Sequence, residues 1–156
     1  IVKKVLFVCL GNICRSPTAE AVFRVKVQAM GLQGQVLHDS CGTAGYHVGE
    51  APDRRATQAA QKRGYAMADL RGRQVSDADF QEYDLILAMD RANYAELKRR
   101  SPTRFHSKIQ LFLKYGSSDE REVPDPYYGG DEGFDHVLDL VEDACEGLLQ
   151  RLRDEP

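Results

Sequence analysis

Short apolar runs recur along the chain and are separated by segments with helical spacing. The first run, KKVLFVCL (residues 3–10), is rich in β-branched and aromatic residues and does not alternate with polar ones. That pattern is typical of a strand buried on both faces of a parallel sheet. Three later stretches predict further strands: QVLHDSCGTAG (35–45), YDLILAMD (83–90) and part of SKIQLFLKY (107–115).

Helices are predicted between these strands. The first begins near Pro17 and is closed by Gly31, because Pro favours helix starts and Gly favours the position just past a helix end. The other helices are marked by capping residues or an apolar stripe. They fall in 51–64, which ends in Gly64, after Ser76 with Asp79, in 91–100 behind Asp90, and along 134–152.

The order of these elements predicts the fold class. Strands and helices alternate throughout, which favours an α/β fold: a three-layer doubly wound sheet of four parallel strands with helices on both faces. The length of 156 residues suits one domain spanning 1–156. Ligands of such sheets bind at the carboxyl ends of the strands, and Cys9 stands at the end of the first strand. The polar stretch 116–133 is predicted to be a long surface loop.

Composition narrows the class of protein. Hydrophobic residues make up 42% and charged residues 29%, as in ordinary globular proteins, and the net charge is -3. With no basic run, nucleic-acid binding is not expected. No stretch reaches the ~18 apolar residues of a membrane span. We expect a soluble, cytoplasmic protein, because the four scattered cysteines suit a reducing compartment better than a disulfide framework or a metal site.

The loop CLGNICRS, from Cys9 to Ser16, has the features of an anion site. Successive backbone N–H groups before a helix can hold a phosphate, and Gly11 and Asn12 suit the left-handed conformations of such a cradle. Arg15 can bind two phosphate oxygens with its planar guanidinium. These positive groups, with a hydroxyl hydrogen bond from Ser16, should favour the thiolate of Cys9, which would then face the bound phosphoryl group as a nucleophile.

Cys14 leaves two interpretations open. It can be a core thiol beneath the first helix, or a resolving thiol that traps oxidised Cys9 as a disulfide before irreversible oxidation.

The motif VCLGNICRSPTAEAVF and the distant DPYYG resemble the low-molecular-weight protein tyrosine phosphatases over essentially the whole chain. The resemblance implies a four-stranded parallel sheet, no metal and no cofactor. It assigns Cys9 as nucleophile, Arg15 as phosphate clamp and Asp125 as general acid. The remaining residues implied to bind phosphate or substrate are Leu10, Gly11, Asn12, Ile13, Cys14, Ser16, Tyr46, Tyr127 and Tyr128.

Some residues around the predicted site have a second interpretation or bear on which branch of the family the chain resembles. Tyr46, Tyr127 and Tyr128 are expected to form aromatic walls, although Tyr128 has loop anchoring as an equal alternative. Ile13 matches the tyrosine-specific branch of the family, whereas the phosphoarginine-specific branch typically has Thr there. Leu70 stands about where many members have a His that supports the loop Asn, which leaves Ser40 as the expected support of Asn12.

The residues and the resemblance together predict a cysteine-dependent protein tyrosine phosphatase that works through a phosphocysteine intermediate. Alternatives are a phosphoarginine phosphatase, an arsenate reductase and a phosphocysteine carrier module. The expected partners are phosphotyrosine-containing proteins and a cognate tyrosine kinase, with no nucleic acid and no membrane. We expect a monomer, with weak self-association as the alternative.

Overall fold

The computed structural model describes residues 2–155, and its strands form one parallel sheet. The strand order is β2-β1-β3-β4, and every neighbouring pair is parallel. The predicted α/β fold with a doubly wound parallel sheet is therefore confirmed. The strands are β1 (Lys3–Cys9), β2 (Val36–Gly42), β3 (Leu85–Ala88) and β4 (Ile109–Leu111).

Five α-helices are found within residues 2–155, close to where the sequence pattern predicts them. Their bounds are α1 (Arg15–Ala29), α2 (Arg54–Lys62), α3 (Asp77–Glu82), α4 (Arg91–Arg100) and α5 (Asp131–Asp154). None of the helices in this described part of the chain is long and apolar enough to cross a membrane. Two short 3-10 helices, Thr103–Lys108 and Phe112–Tyr115, flank β4 and leave it only three residues of the predicted stretch SKIQLFLKY.

Side chains of β1 divide the core into two layers. Val5 and Phe7 point to the face covered by α1, α2 and α5, whereas Leu6 and Val8 point to the face covered by α3 and α4. All four side chains are fully buried, as expected for a central parallel strand. Helices therefore cover both faces of the sheet, which makes the predicted three layers.

The position of the functional site follows from the sheet topology. β1 and β3 are neighbours, but β1 leads into α1 on one face and β3 leads into α4 on the other. The chain therefore diverges at the carboxyl ends of these two strands and leaves a crevice between them, where ligands of doubly wound sheets bind. Cys9 ends β1 at this crevice, and Asp90 follows β3 beside it.

Candidate active site

A cleft of about 220 Å³ opens at the carboxyl end of the sheet. It brings together the loop after β1, the loop after β2 and the long loop before α5. Asn12 and Ser16 do not line the cleft; both are buried behind the first loop, so they support the site rather than face a ligand. The lining residues are Cys9, Leu10, Gly11, Ile13, Cys14, Arg15, Tyr46, His47, Asp125, Tyr127 and Tyr128.

The loop conformation confirms one of two expectations about its backbone. Asn12 has a φ of 59°, the left-handed conformation that Asn tolerates. The expectation for Gly11 is wrong, since its φ is not in the left-handed region. A side chain at this position would be crowded instead, since a Cβ at Gly11 would lie 3.0 Å from Cδ2 of His47. His47 itself hydrogen-bonds Glu50 through Nδ1 at 2.7 Å and lines the rim of the cleft.

The sulfur of Cys9 lies at the floor of the cleft and has two polar neighbours. The backbone N–H of Asn12 donates to Sγ at 3.2 Å, and the Ser16 hydroxyl lies 3.0 Å from it. The loop leads directly into the N-terminus of α1, whose partial positive charge favours an anion nearby. Each of these groups stabilises negative charge on the sulfur.

Asn12 is held by three neighbours, one of which the sequence predicts. Its Nδ2 donates to Ser16 Oγ at 2.8 Å and to Ser40 Oγ at 3.1 Å, which confirms Ser40 as a support. Its Oδ1 accepts the backbone N–H of Arg73 at 3.0 Å. Leu70, at the position where a His is common in the family, packs against the apolar core instead.

Behind Ser40 the hydrogen bonds continue to a buried carboxylate that the sequence analysis missed. Ser40 Oγ donates to Glu20 Oε1 at 3.0 Å, and His38 Nδ1 lies 2.9 Å from Glu20 Oε2. The Glu20 side chain is only 7% exposed, so both contacts satisfy a group that burial would otherwise penalise. A continuous chain of polar groups thus connects His38 with Asn12 and the floor of the cleft.

Arg15 is fixed by a carboxylate and a carbonyl. Its Nη1 donates to Asp90 Oδ2 at 2.7 Å and to the Val123 carbonyl at 3.1 Å, and its side chain is 3% exposed. Burial disfavours the charged form, but Cys9 and Asp90 outweigh it and raise the pKa of Arg15. The guanidinium is therefore a permanent, oriented positive charge in the cleft. Sequence reasoning identified Asp90 only as the cap of α4; its place two residues past the end of β3 was the available signal.

Asp125 stands at the mouth of the cleft, above Arg15. Its Oδ2 lies 3.7 Å from Nη2 of Arg15, and its Oδ1 accepts the backbone N–H of Tyr127 at 3.1 Å. Its side chain is 40% exposed, so the carboxylate can meet both a ligand and water.

Three tyrosines form the walls of the opening. The rings of Tyr127 and Tyr128 meet edge to face, with centroids 4.9 Å apart. Tyr128 is 92% exposed, so it does not anchor the loop, and Tyr46 on the loop after β2 is also largely exposed. Aromatic surface around an anion site suits a ligand that carries an apolar ring next to its charge.

Cys14 differs from Cys9 in its surroundings. The thiol is 5% exposed, and burial together with the negative charge of Asp53 raises the pKa of Cys14 to about 12. Near neutral pH Cys14 is therefore a protonated thiol, although it belongs to the lining of the same cleft.

The fold and the geometry of the cleft together indicate a class of enzyme, one that acts on phosphate groups. A thiol among anion-stabilising donors, an oriented guanidinium and a carboxylate at the opening suit transfer of a phosphoryl group to sulfur.

Comparisons with known proteins agree with this class. The family model described as low molecular weight phosphotyrosine protein phosphatase matches residues 4–156. The low molecular weight protein-tyrosine-phosphatase of Streptomyces coelicolor is 43% identical over 156 residues, covering 97% of this chain and 94% of the relative. The low molecular weight phosphotyrosine protein phosphatase of Schizosaccharomyces pombe is 46% identical over 151 residues, covering 96% of both chains.

A solved structure supports the same assignment. The protein tyrosine phosphatase from Entamoeba histolytica superposes with a TM-score of 0.94 at 45% identity and covers 97% of both chains. The chain belongs to the low molecular weight phosphotyrosine protein phosphatase family. The prediction of a cysteine-dependent protein-tyrosine phosphatase, a phosphoric monoester hydrolase, is confirmed at the level of enzyme class.

Proposed function

We propose that the protein hydrolyses phosphotyrosine in proteins through a phosphocysteine intermediate on Cys9. One observation carries the proposal: Arg15 Nη2 lies 3.7 Å from the carboxylate of Asp125 in the cleft whose floor holds the Cys9 sulfur. A nucleophile, an anion clamp and a proton donor therefore face one space.

In the first step the Cys9 thiolate attacks phosphorus and forms the S–P bond. The P–O bond to the tyrosine oxygen breaks, and the carboxylic acid of Asp125 gives its proton to the leaving phenolate. In the second step the Asp125 carboxylate accepts a proton from water, whose oxygen attacks phosphorus. The S–P bond breaks, and inorganic phosphate leaves with the Cys9 thiolate restored.

Electrostatic stabilisation is the largest contribution we expect to the rate. Arg15 is buried and already oriented by Asp90, and the loop N–H groups stand before the N-terminus of α1, so both can meet the charge of the equatorial oxygens with little reorganisation. The hydrogen bond between Ser16 and Cys9 stabilises the sulfur both as attacking anion and as leaving group.

The tyrosine walls of the cleft support the proposed substrate, and the unpaired thiols support the proposed compartment. The tyrosine rings around the opening suit an aryl phosphate on a protein, made by a tyrosine kinase. A reducing, cytoplasmic compartment agrees with four cysteines that are all unpaired. The single domain spanning 1–156 and the monomeric state stay predictions.

The alternatives have less support. Arsenate reduction needs further thiols to relay a disulfide, but Cys41 and Cys145 are fully buried. A phosphocysteine carrier must protect its intermediate from water, and the exposed carboxylate of Asp125 would instead activate water. Ile13 at the cleft argues against phosphoarginine as the main substrate.

Steady-state kinetics with phosphotyrosine peptides test the proposal. We expect Cys9→Ser to abolish turnover, and Asp125→Asn to reduce kcat by about 10² to 10⁴, the usual contribution of a general acid. Asp119→Asn, on an exposed position of the same loop, is the matched control and should retain full activity. A peptide carrying phosphoarginine should be cleaved more slowly. Turnover by Cys9→Ser, or equal effects of the two Asp variants, would contradict the mechanism.

We also propose that Cys14 protects Cys9 during oxidation. Peroxide converts Cys9 to a sulfenic acid, and the Cys14 thiol then gives up its proton as its sulfur bonds to the Cys9 sulfur, so that water leaves. Mapping of thiols after peroxide treatment should find a Cys9–Cys14 disulfide, and Cys14→Ser should lose recovery of activity by reductant. Irreversible oxidation of Cys9 in the presence of an intact Cys14 thiol would refute this role.

A further inference from the structure

The first turn of α2 lies between the two loops that form the site. The backbone N–H of Asp53, the residue before α2, donates to the Ile13 carbonyl of the phosphate loop at 2.8 Å. The Asp53 carboxylate in turn accepts the backbone N–H groups of Arg55 at 2.8 Å and Ala56 at 3.4 Å. This turn is therefore fixed directly to the loop that carries Cys9.

From the same turn, the Arg55 side chain reaches the opposite loop. Its Nη2 donates to the Tyr127 carbonyl at 2.7 Å, and its Nη1 donates to the Gly129 carbonyl at 3.2 Å. Both carbonyls belong to one tight turn, which the N–H of Gly129 closes by donating to Pro126 at 3.1 Å. The guanidinium thus binds this turn through two of its carbonyls at once.

The turn that Arg55 binds also orients Asp125. The carbonyl of Tyr127 accepts a hydrogen bond from Arg55, while the backbone N–H of the same Tyr127 donates to Asp125 Oδ1 at 3.1 Å. One residue therefore connects the guanidinium and the carboxylate. Without Arg55 the loop would keep its tether at Val123, whose N–H donates to Met89 at 2.7 Å, but the part beyond Asp125 would lose its contact with α2.

The guanidinium is itself held from several sides, as a structural clamp must be. It lies 4.8 Å from the ring centroid of Phe134 on α5 and 5.8 Å from that of Tyr127. The Asp53 carboxylate approaches Nη2 to 3.4 Å. A planar fork that stacks on rings and donates in two directions cannot be reproduced by the single ammonium of Lys.

We propose that Arg55 is a positioning residue that fixes the general-acid loop, so that Asp125 stays aligned with the leaving group above Cys9. This inference rests on the proposed function, because it gives Asp125 the role of general acid. Arg55 acts through Tyr127 and does not belong to the lining of the cleft. Its loss should therefore impair protonation of the leaving group and leave phosphate binding nearly intact.

Two aryl phosphates separate this role from general structural support. Phenyl phosphate releases a phenolate that needs a proton, whereas 2,4-dinitrophenyl phosphate releases a phenolate that leaves without one. The measured quantity is kcat/KM, which reports phosphoryl transfer to Cys9. For Arg55→Lys and Arg55→Ala we expect it to fall about tenfold with phenyl phosphate and less than about twofold with the dinitrophenyl ester, a part of the usual general-acid contribution.

A matched variant serves as the control, and a double mutant tests whether Arg55 and Asp125 act on the same step. Arg54→Lys changes the exposed neighbour on the same helical turn and should behave as wild type with both substrates. In an Asp125→Asn background, Arg55→Lys should have no further effect, because the two changes remove the same step. Thermal unfolding is measured for every variant, and if Arg55→Ala is unfolded then Arg55→Lys, which keeps the charge and the stem, decides.

The outcomes distinguish this inference from the function on which it rests. Equal losses on both substrates, or effects of Arg55→Lys and Asp125→Asn that multiply, would overturn the positioning role. A wild-type enzyme that hydrolyses neither ester, or that is insensitive to Asp125→Asn, would instead overturn the proposed function.

Discussion

The residues that hold Arg15 matter as much as Arg15 itself. Asp90 and the Val123 carbonyl both accept from its Nη1, so the second nitrogen, Nη2, remains directed toward Asp125 and the cleft. A guanidinium that had to be oriented during each turnover would lose part of the benefit of electrostatic preorganisation.

Substitution of Asp90 tests this arrangement. Asp90→Asn keeps an acceptor for the N–H of Asn93, which caps α4, but removes the charge that pairs with Arg15. A hydrogen bond to a charged group contributes about 1.5–3 kcal/mol, so we expect kcat/KM to fall about 10- to 100-fold and inhibition by inorganic phosphate to weaken in parallel. The control is Glu122→Gln, which changes a carboxylate of the long loop that pairs with Arg91 at the start of α4. It should leave both constants unchanged. An unaltered phosphate inhibition constant in Asp90→Asn would contradict the prediction.

At this scale the sequence identifies the residues that carry chemistry but not those that hold them. Cys9 and Arg15 are recognisable because one short loop between a strand and a helix contains both. Glu20 and Arg55 are not recognisable, because the contacts of Glu20 reach residues 18 and 20 positions away and those of Arg55 with the opposite loop reach residues 72 and 74 positions away. An acidic or basic residue on a helix usually faces solvent, and only the folded chain shows which of them is a partner.

At Gly147 the helix α5 approaches the segment after β4 very closely. A Cβ at Gly147 would lie 1.9 Å from the Tyr115 carbonyl, which follows β4 in a 3-10 helix. The contact lets the longest helix lie directly against the chain after β4, and it explains a glycine inside a helix, where glycine is otherwise unfavourable. The sequence pattern predicts the apolar stripe of α5 but not this approach, because periodicity gives the face of a helix and not its distance from a neighbour.

Two glycines of α5 give a matched pair for stability. Gly147→Ala must displace backbone, so we expect the free energy of unfolding to fall by about 2–3 kcal/mol, as for other overpacked sites. Gly133→Ala meets only Pro126 at 3.5 Å, an ordinary contact, so it should raise the free energy of unfolding by about 0.5–1 kcal/mol through helix propensity. Urea denaturation of both variants gives the two values. A loss of stability in Gly133→Ala similar to that in Gly147→Ala would show that glycine is needed in α5 for another reason.

Over the whole molecule, the alternation of strands and helices was enough to predict the sheet and both helical layers. It was also enough to place Cys9 at the carboxyl end of β1, where the topology opens the cleft. The fourth strand is the weakest part of that prediction. Only Ile109–Leu111 of the apolar stretch pairs with β3, since the residues around it form 3-10 helices that no periodicity rule separates from a strand.

A consequence of this packing for the whole molecule is a stability that falls at alkaline pH. Burial raises the pKa values of the thiols of Cys14, Cys41 and Cys145 above the ordinary value of 9.0, to about 12 for Cys14. Above pH 9.0 the unfolded chain therefore releases protons that the folded chain retains, and stability present below that pH is lost as pH rises toward 12.

The slope of this loss can be assigned to individual thiols. Each contributes about 1.4 kcal/mol per pH unit to the decline in the free energy of unfolding. Urea denaturation between about pH 8 and pH 10.5 should show the decline, and in Cys145→Ala the slope above pH 9.0 should be shallower by one such increment. The variant removes only a sulfur that contacts the Ala19 carbonyl at 3.8 Å, so a constant offset from a small cavity is expected at every pH. Because a cavity does not titrate, parallel curves for wild type and Cys145→Ala would mean that the Cys145 thiol does not contribute to the alkaline loss of stability.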